Sequence, residues 1–214
     1  MQAAPPTTQF ESGDPAPLRA NALHDCIRRA VACGISWIQI REKDLDTGAL
    51  LEMVRRAVRE THGTSSRVLV NERLDVALAA KAGAIHLGEQ SLPLKCVVEW
   101  RSSAGRLDFL IGVSCHSLES ARAAELGGAD YIFFGPVYAT PSKAAYGAPQ
   151  GIERLREVCA SVKIPVLAIG GVNWENAREC LAAGASGIAA IRLFQDGADT
   201  AELAAQIERF RLHK

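Results

Sequence analysis

The hydrophobic pattern along the chain alternates between two periods. Seven short runs rich in branched and aromatic residues predict buried strands over residues 36–40, 67–70, 84–87, 109–114, 130–134, 165–169 and 186–191. Between them, apolar residues recur every three or four positions, which predicts helices over residues 18–33, 50–58, 74–82, 118–126 and 152–159. A last helix carries Leu203, Ile207 and Phe210 on one face. This alternation implies parallel strands joined by right-handed helical crossovers.

Three helix-to-strand junctions share one formula, a glycine followed by alanine. We expect Gly83, Gly128 and Gly184 to end their helices in the left-handed conformation that glycine adopts without strain. Asn173 and the pair Asp199–Thr200 precede helical segments and are typical N-cap residues. The repetition indicates that one βα unit is used several times.

Eight such units would close a barrel, and seven strands are visible. An eighth strand would belong at the N-terminus, where Pro5 and Pro6 disfavour it. A doubly wound open sheet is the alternative, but no G-x-G-x-x-G sequence follows the first clear strand. The pattern favours an α/β fold of the (β/α)8 TIM-barrel class with a weak or truncated first strand. We expect a flexible N-terminal segment over residues 1–17, which could be a remnant of that strand, and a single barrel domain over residues 18–214.

Composition narrows the functional classes. Lys and Arg number 24, as do Asp and Glu, so no net field favours nucleic acid or a membrane surface as a partner. No apolar run approaches the length of a membrane span, and the N-terminus lacks the basic start and apolar stretch of a signal peptide. The 6 cysteines are scattered without a C-x-x-C pair, which predicts reduced thiols in a cytoplasmic protein rather than disulfides or a zinc site.

Polar residues alternate at the end of the first predicted strand. Gln39, Arg41 and Lys43 would project on one face if the strand continued past Ile40. Burying two cations without a partner is costly, so this row predicts an anionic ligand. The alternative is that the strand ends near Ile40 and that the two cations are solvated loop residues.

The other predicted strands also end in polar or small residues. In a barrel of this class the functional site lies at the C-terminal ends of the strands, which favours the functional interpretation of the cation row. The residues at these ends are Gln39, Arg41, Lys43, Asn71, Glu72, His86, Gly88, Glu89, Ser114, His116, Gly135, Thr140, Ser142, Lys143, Gly170, Gly171, Ile191 and Arg192.

Two separate anion sites are predicted among these residues. Gly170 and Gly171 follow an apolar strand and precede a helix, where backbone N–H groups often bind phosphate; a simple tight turn is the alternative. Arg41, Lys43 and Lys143 would form the second site. Two sites suggest two phosphorylated substrates or one long bisphosphate.

Three further residues admit two interpretations each. Asn71 and Glu72 could bind a divalent cation, or they could simply be exposed at a helix start. His86 could line a site or be a hydrogen-bonded core residue. For His116, a place beside a helix cap is favoured over a catalytic role. Residues 135–147 could form a lid that excludes water, or a plain connector.

Six segments in this order resemble the thiamine phosphate synthase superfamily, which includes the TenI-type thiazole tautomerases. The resemblance runs from about Gly34 to Phe194, and its segments are residues 39–43, 70–77, 86–90, 111–116, 135–143 and 168–172. It implies a transferase of thiamine biosynthesis that condenses hydroxymethylpyrimidine diphosphate with thiazole phosphate and releases pyrophosphate. A TenI-like isomerase and a non-catalytic barrel that binds thiamine precursors are the alternatives, and a homo-oligomer is compatible with all three.

The resemblance also implies roles for the matching residues. The catalytic residues would be those that contact the pyrophosphate as it leaves, namely Arg41, Lys43, Ser114 and Lys143. The pyrimidine diphosphate would be held by Gln39, Arg41, Lys43, Asn71, His86 and Lys143, and the thiazole phosphate by Thr140, Ser142, Gly171, Ile191 and Arg192.

The chain departs from the synthase pattern at the expected Mg²⁺ ligands. Glu72 stands where the synthase usually has Asp, and Ser91 stands where a second Mg²⁺-binding Asp is expected, so one negative charge is lost. Glu89 or Asp75 could compensate. The tautomerase, in turn, uses a His where this chain has Pro136. Mg²⁺ therefore remains the expected cofactor at Glu72 and Ser91, with weaker binding.

The two-site layout predicts unequal effects of removing one cation. We expect Lys43→Ala to weaken binding of the pyrimidine diphosphate about tenfold, because it deletes a charge-assisted contact to a phosphate oxygen, and to change thiazole phosphate binding less than about twofold. Titration calorimetry with each ligand measures both affinities. Equal losses for the two ligands would contradict the layout.

Overall fold

The structure, a computed structural model, describes residues 16–88, 91–140, 148–195 and 200–211. Within these ranges, seven strands alternate with helices as the hydrophobic pattern predicts. Of the N-terminal segment proposed as a remnant of a first strand, residues 1–15 lie outside the described residues, and Ala16 and Pro17 belong to the first helix. The elements are α1 (Ala16–Ala32), β1 (Trp37–Ile40), α2 (Thr47–Thr61), β2 (Arg67–Asn71), α3 (Leu74–Ala79), β3 (Ala84–Leu87), α4 (Leu94–Ser103), β4 (Leu110–Cys115), α5 (Leu118–Leu126), β5 (Tyr131–Phe134), α6 (Gly151–Ser161), β6 (Val166–Ile169), α7 (Ala177–Ala182), β7 (Gly187–Ala189), α8 (Arg192–Gln195) and α9 (Thr200–Arg211).

The chain forms two compact units. The first contains α1, β1, α2, β2 up to Val70, α3, α8 and α9. The second contains Asn71–Arg73 and the elements from β3 to β7. No helix in the described ranges is long and apolar enough to cross a membrane.

In the first unit, α2 packs through one apolar face. Its buried residues Leu50, Met53, Val54 and Ala57 follow the three- and four-residue spacing of a single helical face. Asp46 caps this helix, since its side chain accepts a hydrogen bond from the Ala49 amide at 2.9 Å. Strands β1 and β2 pair in parallel, with Trp37 opposite Arg67 and Ile40 opposite Val70.

In the second unit, β3 to β7 pair in parallel and in chain order. Every residue of β3 and β5 is buried, as expected for parallel strands covered on both faces. This explains why these strands are mainly apolar in the sequence rather than alternating, with His86 in β3 as the polar exception. The parallel α/β arrangement predicted from the pattern is confirmed.

The helix ends follow one motif, although not always at the predicted glycine. Gly128 and Gly184 have positive φ angles of 90° and 102°, as expected. At the first junction the prediction for Gly83 was wrong: the left-handed residue is Lys81, with a φ of 58°. Its amide bonds Leu78 O, and the Ala82 amide bonds Ala77 O, which is the hydrogen-bond pattern of the glycine junctions. Helix α3 therefore ends before the predicted limit of residue 82.

A charged pair joins α4 to the strands of the second unit. The Arg101 guanidinium donates to Asp130 Oδ2 at 2.5 Å and also to the backbone carbonyls of Gly128 and Phe109. Asp130 Oδ2 accepts a second hydrogen bond, from the Ile111 amide at 2.7 Å. Both side chains are largely shielded, with 13% and 30% of their surface exposed, so loss of one partner leaves buried polar atoms unsatisfied.

This pair should contribute measurably to stability. We expect Asp130→Ala to lower the free energy of unfolding by about 2 kcal/mol, because it removes an ionic partner and a backbone acceptor together. Glu52→Ala, which breaks the solvent-exposed Glu52–Arg59 pair, is the control and should cost less than about 0.5 kcal/mol. Urea denaturation measures both; equal losses would show that Asp130 makes no special contribution.

Candidate functional site

The second unit brings several predicted site residues to the C-terminal ends of its strands. Asn71 is the last residue of β2, Ser114 lies at the end of β4, and Gly135 directly follows β5. The loop after β6 begins with Gly170 and Gly171. Since parallel strands end on the same side of a sheet, these loops form one edge of the unit.

The two predicted metal ligands lie together beside Gly88. The Ser91 hydroxyl accepts a hydrogen bond from the Gly88 amide at 2.7 Å. A Cβ atom added to Gly88 would lie 2.7 Å from Glu72 Oε1 and 3.7 Å from Ser91 Oγ. Any larger residue at position 88 would therefore displace the Glu72 carboxylate. Glu72 itself adopts a φ of 62°, unusual for a residue with a side chain, and its amide donates to His86 O at 2.9 Å.

This oxygen pair is compatible with Mg²⁺. A carboxylate and a hydroxyl are hard ligands, and Mg²⁺ often takes only one or two protein oxygens and completes its shell with water and phosphate oxygens. Among the described residues no group of three or more His, Cys, Asp or Glu side chains converges. Of the two possible compensating acids, Glu89 lies outside the described residues, and Asp75 belongs to α3 in the first unit.

His86 is buried, with 2% of its surface exposed, and both ring nitrogens have partners. Its Nδ1 is 3.3 Å from the Tyr131 hydroxyl, and its Nε2 is 2.9 Å from the Ser114 hydroxyl. The ring also packs against Phe133, with 4.2 Å between ring centroids. Burial raises the pKa of Tyr131, so its hydroxyl stays neutral. The imidazole is thus held in place and bonds the half-buried Ser114 hydroxyl.

Tyr131 is a residue that the sequence interpretation missed. Gly112 in β4 is paired with it across the strands, and a Cβ on Gly112 would lie 2.0 Å from the tyrosine ring. The glycine therefore makes the space in which the Tyr131 ring reaches His86. A glycine inside a predicted strand is a known sign of such a close approach and could have pointed to it.

The Gly170–Gly171 turn lies directly against the segment that follows β5. The Val137 and Tyr138 amides each donate at 2.9 Å, to Ile169 O and to Gly170 O. A Cβ on Gly170 would lie 2.5 Å from Pro136 Cβ, and one on Gly171 would lie 2.6 Å from Ala139 O. Both glycines have positive φ angles, of 89° and 67°. No side chain fits at either position, so glycine is required here by space as well as by conformation.

Two asparagines hold the other side of this turn. Asn173 Oδ1 accepts from the amides of Glu175 and Asn176, but the N-cap of α7 is Asn176, so the prediction of Asn173 as N-cap was wrong. Asn176 Nδ2 in turn donates to Gly171 O at 3.0 Å. Among the described residues, the amides of Gly170 and Gly171 have no acceptor. Within the described ranges, the turn therefore has two adjacent N–H donors without a protein acceptor.

His116 lies beside a helix cap, as predicted. Its amide donates to Ser120 Oγ, and Ser117 and Ser120 form the capping box of α5. Its ring Nδ1 forms a short hydrogen bond with Gly135 O. His116 thus connects the loop after β4 with the start of the segment after β5.

The cation row does not continue the strand. β1 ends at Ile40, and Arg41 and Lys43 are exposed loop residues, which is the alternative weighed for this segment. Neither side chain pairs with another described residue. Both remain hydrated, so no buried charge requires compensation, and their role towards an anion stays a prediction.

The remaining predicted residues are spread over both units. Gln39 and Asn71 are half-buried at strand ends, and Thr140 is half-buried at the limit of the described residues. Ile191 and Arg192 are exposed at the start of α8, in the first unit. Ser142 and Lys143 lie outside the described residues. The substrate contacts assigned to these positions remain predictions.

Comparison with known proteins adds an independent line of information. A family model described as thiamine monophosphate synthase matches residues 13–194. A Geobacter sulfurreducens protein, provisionally named a thiamine-phosphate synthase, is 49% identical over 165 residues, which is 77% of this chain and 76% of its own length. A thiamine-phosphate synthase of Moorella thermoacetica is 41% identical over 184 residues, covering 86% of this chain and 85% of its own.

A solved structure shares the fold over nearly the whole chain. Thiamine phosphate pyrophosphorylase from Pyrococcus furiosus superposes with a TM-score of 0.80 and 33% identity, and the match covers 92% of each chain. The predicted fold class, α/β of the barrel type, is confirmed by this match together with the parallel strand pairing.

Proposed function

This chain belongs to the thiamine monophosphate synthase family, and we propose that it condenses hydroxymethylpyrimidine diphosphate with thiazole phosphate to thiamine phosphate, releasing pyrophosphate. The residue at position 136 is the observation that favours this reaction over tautomerisation. Pro136 is buried against Gly170 and offers no proton-transfer group where the tautomerase family uses a His. The Glu72–Ser91 oxygen pair supports it further, because a diphosphate leaving group needs a cation and an isomerisation does not.

In this proposal the enzyme promotes loss of the leaving group rather than attack. As pyrophosphate departs, a pyrimidine carbocation forms and the thiazole nitrogen captures it. The chain must neutralise the charge on the pyrophosphate, align the nitrogen and exclude water. Arg41, Lys43 and Lys143 would provide the positive charge, and Ser114 would donate to a pyrophosphate oxygen.

The hydrogen bond between His86 and Ser114 is compatible with this role for Ser114 in the tautomer in which Nε2 carries the proton. Ser114 then accepts from His86, and its own O–H can donate to the pyrophosphate. Because both ring nitrogens of His86 are engaged, the imidazole is fixed and limits the directions in which the Ser114 hydroxyl can point. Gln39, Asn71 and His86 would hold the pyrimidine. The Gly171 amide, which has no acceptor among the described residues, would hold the thiazole phosphate together with Thr140, Ser142, Ile191 and Arg192.

We assign Mg²⁺ to Glu72 and Ser91. When bound, the ion neutralises negative charge on the diphosphate. One carboxylate and one neutral hydroxyl bind it less tightly than two carboxylates do, since the attraction scales with ligand charge. Substrate phosphate oxygens would therefore contribute a larger share of the coordination than in relatives with two acids.

We further propose a cytoplasmic protein that acts on small phosphorylated molecules. The six cysteines are free thiols. Burial raises the pKa of Cys115 and of Cys159 to about 11, which keeps both as unreactive thiols at neutral pH.

Direct assay tests the function. Incubation with both phosphorylated precursors and Mg²⁺ should yield thiamine phosphate and pyrophosphate in equal amounts, measured by chromatography and a coupled phosphate assay. The carboxylated thiazole phosphate tautomer, supplied alone, should remain unchanged. Absence of product at high enzyme concentration would reject the synthase, and conversion of the tautomer would support the isomerase instead.

Restoring the missing acid tests the metal assignment. We expect Ser91→Asp to tighten Mg²⁺ binding in the presence of pyrophosphate about fivefold to tenfold, because a second carboxylate would join Glu72. Ser91→Asn, of nearly the same shape but uncharged, is the matched control and should not tighten binding. Titration calorimetry and the Mg²⁺ dependence of turnover are the measurements. If Ser91→Asp changes neither, Ser91 is not at a metal position.

A further inference from the structure

Tyr138 connects two parts of the second unit that are far apart in sequence. It lies in the segment after β5, and its hydroxyl donates to Glu179 Oε2 on α7 at 2.5 Å. The acceptor is a carboxylate, so this is a charge-assisted hydrogen bond, stronger than one between neutral groups. Burial and the neighbouring Glu179 raise the pKa of Tyr138, so the hydroxyl keeps its proton.

The backbone of Tyr138 contacts the Gly170–Gly171 turn directly. Its amide donates to Gly170 O at 2.9 Å. A Cβ atom on Gly171 would lie 2.7 Å from Tyr138 Cβ and 2.8 Å from its carbonyl carbon. Tyr138 thus covers Gly171 on one side, while Asn176 bonds the Gly171 carbonyl.

These contacts place the turn inside a closed loop of interactions. The chain runs from Gly171 through Asn176 into α7, where Glu179 bonds the Tyr138 hydroxyl, and Tyr138 returns to Gly170 through its amide. In this loop, the bond between Tyr138 and Glu179 depends on one atom of the tyrosine, its hydroxyl oxygen. Without that bond, Tyr138 still packs on the turn, and the remaining link from its hydroxyl to α7 is a long hydrogen bond accepted from Cys180 Sγ at 4.0 Å.

We propose that Tyr138 is a positioning residue that fixes the Gly171 amide for the thiazole phosphate through its hydrogen bond to Glu179. This inference rests on the proposed function for the identity of the ligand. Tyr138 need not touch the substrate. If the Gly171 amide is aligned before the phosphate binds, less of the binding free energy is lost in ordering the turn. The affinity for the phosphate therefore depends on the Tyr138–Glu179 hydrogen bond.

Removing one hydroxyl tests the proposal. Tyr138→Phe keeps the ring and therefore the packing on Gly171. We expect the KM and the Kd for thiazole phosphate to rise about fivefold to tenfold, which corresponds to the typical net contribution of one hydrogen bond. The KM for the pyrimidine diphosphate and the kcat at saturation should stay within about twofold of the wild type, because neither depends on the turn.

Variants at Glu179 separate the bond from the residue. Glu179→Ala should reproduce the effect of Tyr138→Phe, and the double variant should be no worse than either alone, since both remove the same bond. Glu179→Gln keeps an acceptor and should restore most of the affinity. Glu175→Ala is the control for loss of surface charge. Glu175 is exposed in the loop between Gly171 and α7, and its side chain has no partner among the described residues. It should behave as the wild type.

Three results would overturn the proposal. They are an unchanged Kd for thiazole phosphate in Tyr138→Phe, equal rises in KM for both substrates, or additive effects in the double variant. Calorimetric Kd values need no turnover. A wild-type chain that binds thiazole phosphate without making product would therefore reject the synthase, and the Kd of Tyr138→Phe would still decide on Tyr138.

Discussion

The close approach of two backbone segments, residues 135–139 and the Gly170–Gly171 turn, is the constraint on which the candidate site depends. Ideal Cβ atoms on Gly170 and Gly171 would lie within 2.6 Å of atoms of the facing segment, so neither position tolerates a side chain. The amides of Val137 and Tyr138 satisfy the carbonyls of Ile169 and Gly170, while the amides of the two glycines have no acceptor in the described part of the chain. One packing requirement thus sets the shape of the turn.

A second close approach organises the neighbouring strands. Because Gly112 has no side chain, the Tyr131 ring lies across β4 and reaches His86, which in turn bonds Ser114. A chain of hydrogen-bonding groups therefore leads from the fully buried tyrosine to a half-buried hydroxyl. Such a network is favourable only when each polar atom has a partner, and that condition fixes the orientation of Ser114.

Among the predicted site residues, the cations match the synthase pattern, whereas the acids do not. Arg41 and Lys43 are exposed, so the fold does not bear the free-energy cost of burying their charges when no anion is bound. The acidic side is reduced to Glu72, whose carboxylate is packed against Gly88 beside the neutral Ser91. The residues predicted to contact the anion are thus exposed cations. The two residues predicted to bind the metal carry a single negative charge between them, on Glu72, whose φ angle is positive.

The sequence by itself determined the alternation of seven strands with helices, the parallel class of fold and the clustering of polar residues at strand ends, because burial periodicity and strand length are local properties. The motif residues at Asn71, His86 and Gly170 were also recognisable from their neighbours along the chain. Only the tertiary structure decided that β1 stops at Ile40, that Lys81 rather than Gly83 ends α3, and that Gly112 makes room for Tyr131. The partnership of Tyr138 with Glu179 belongs to the same group. Each of these depends on the distance between residues remote in sequence, and a linear pattern carries no information about such distances.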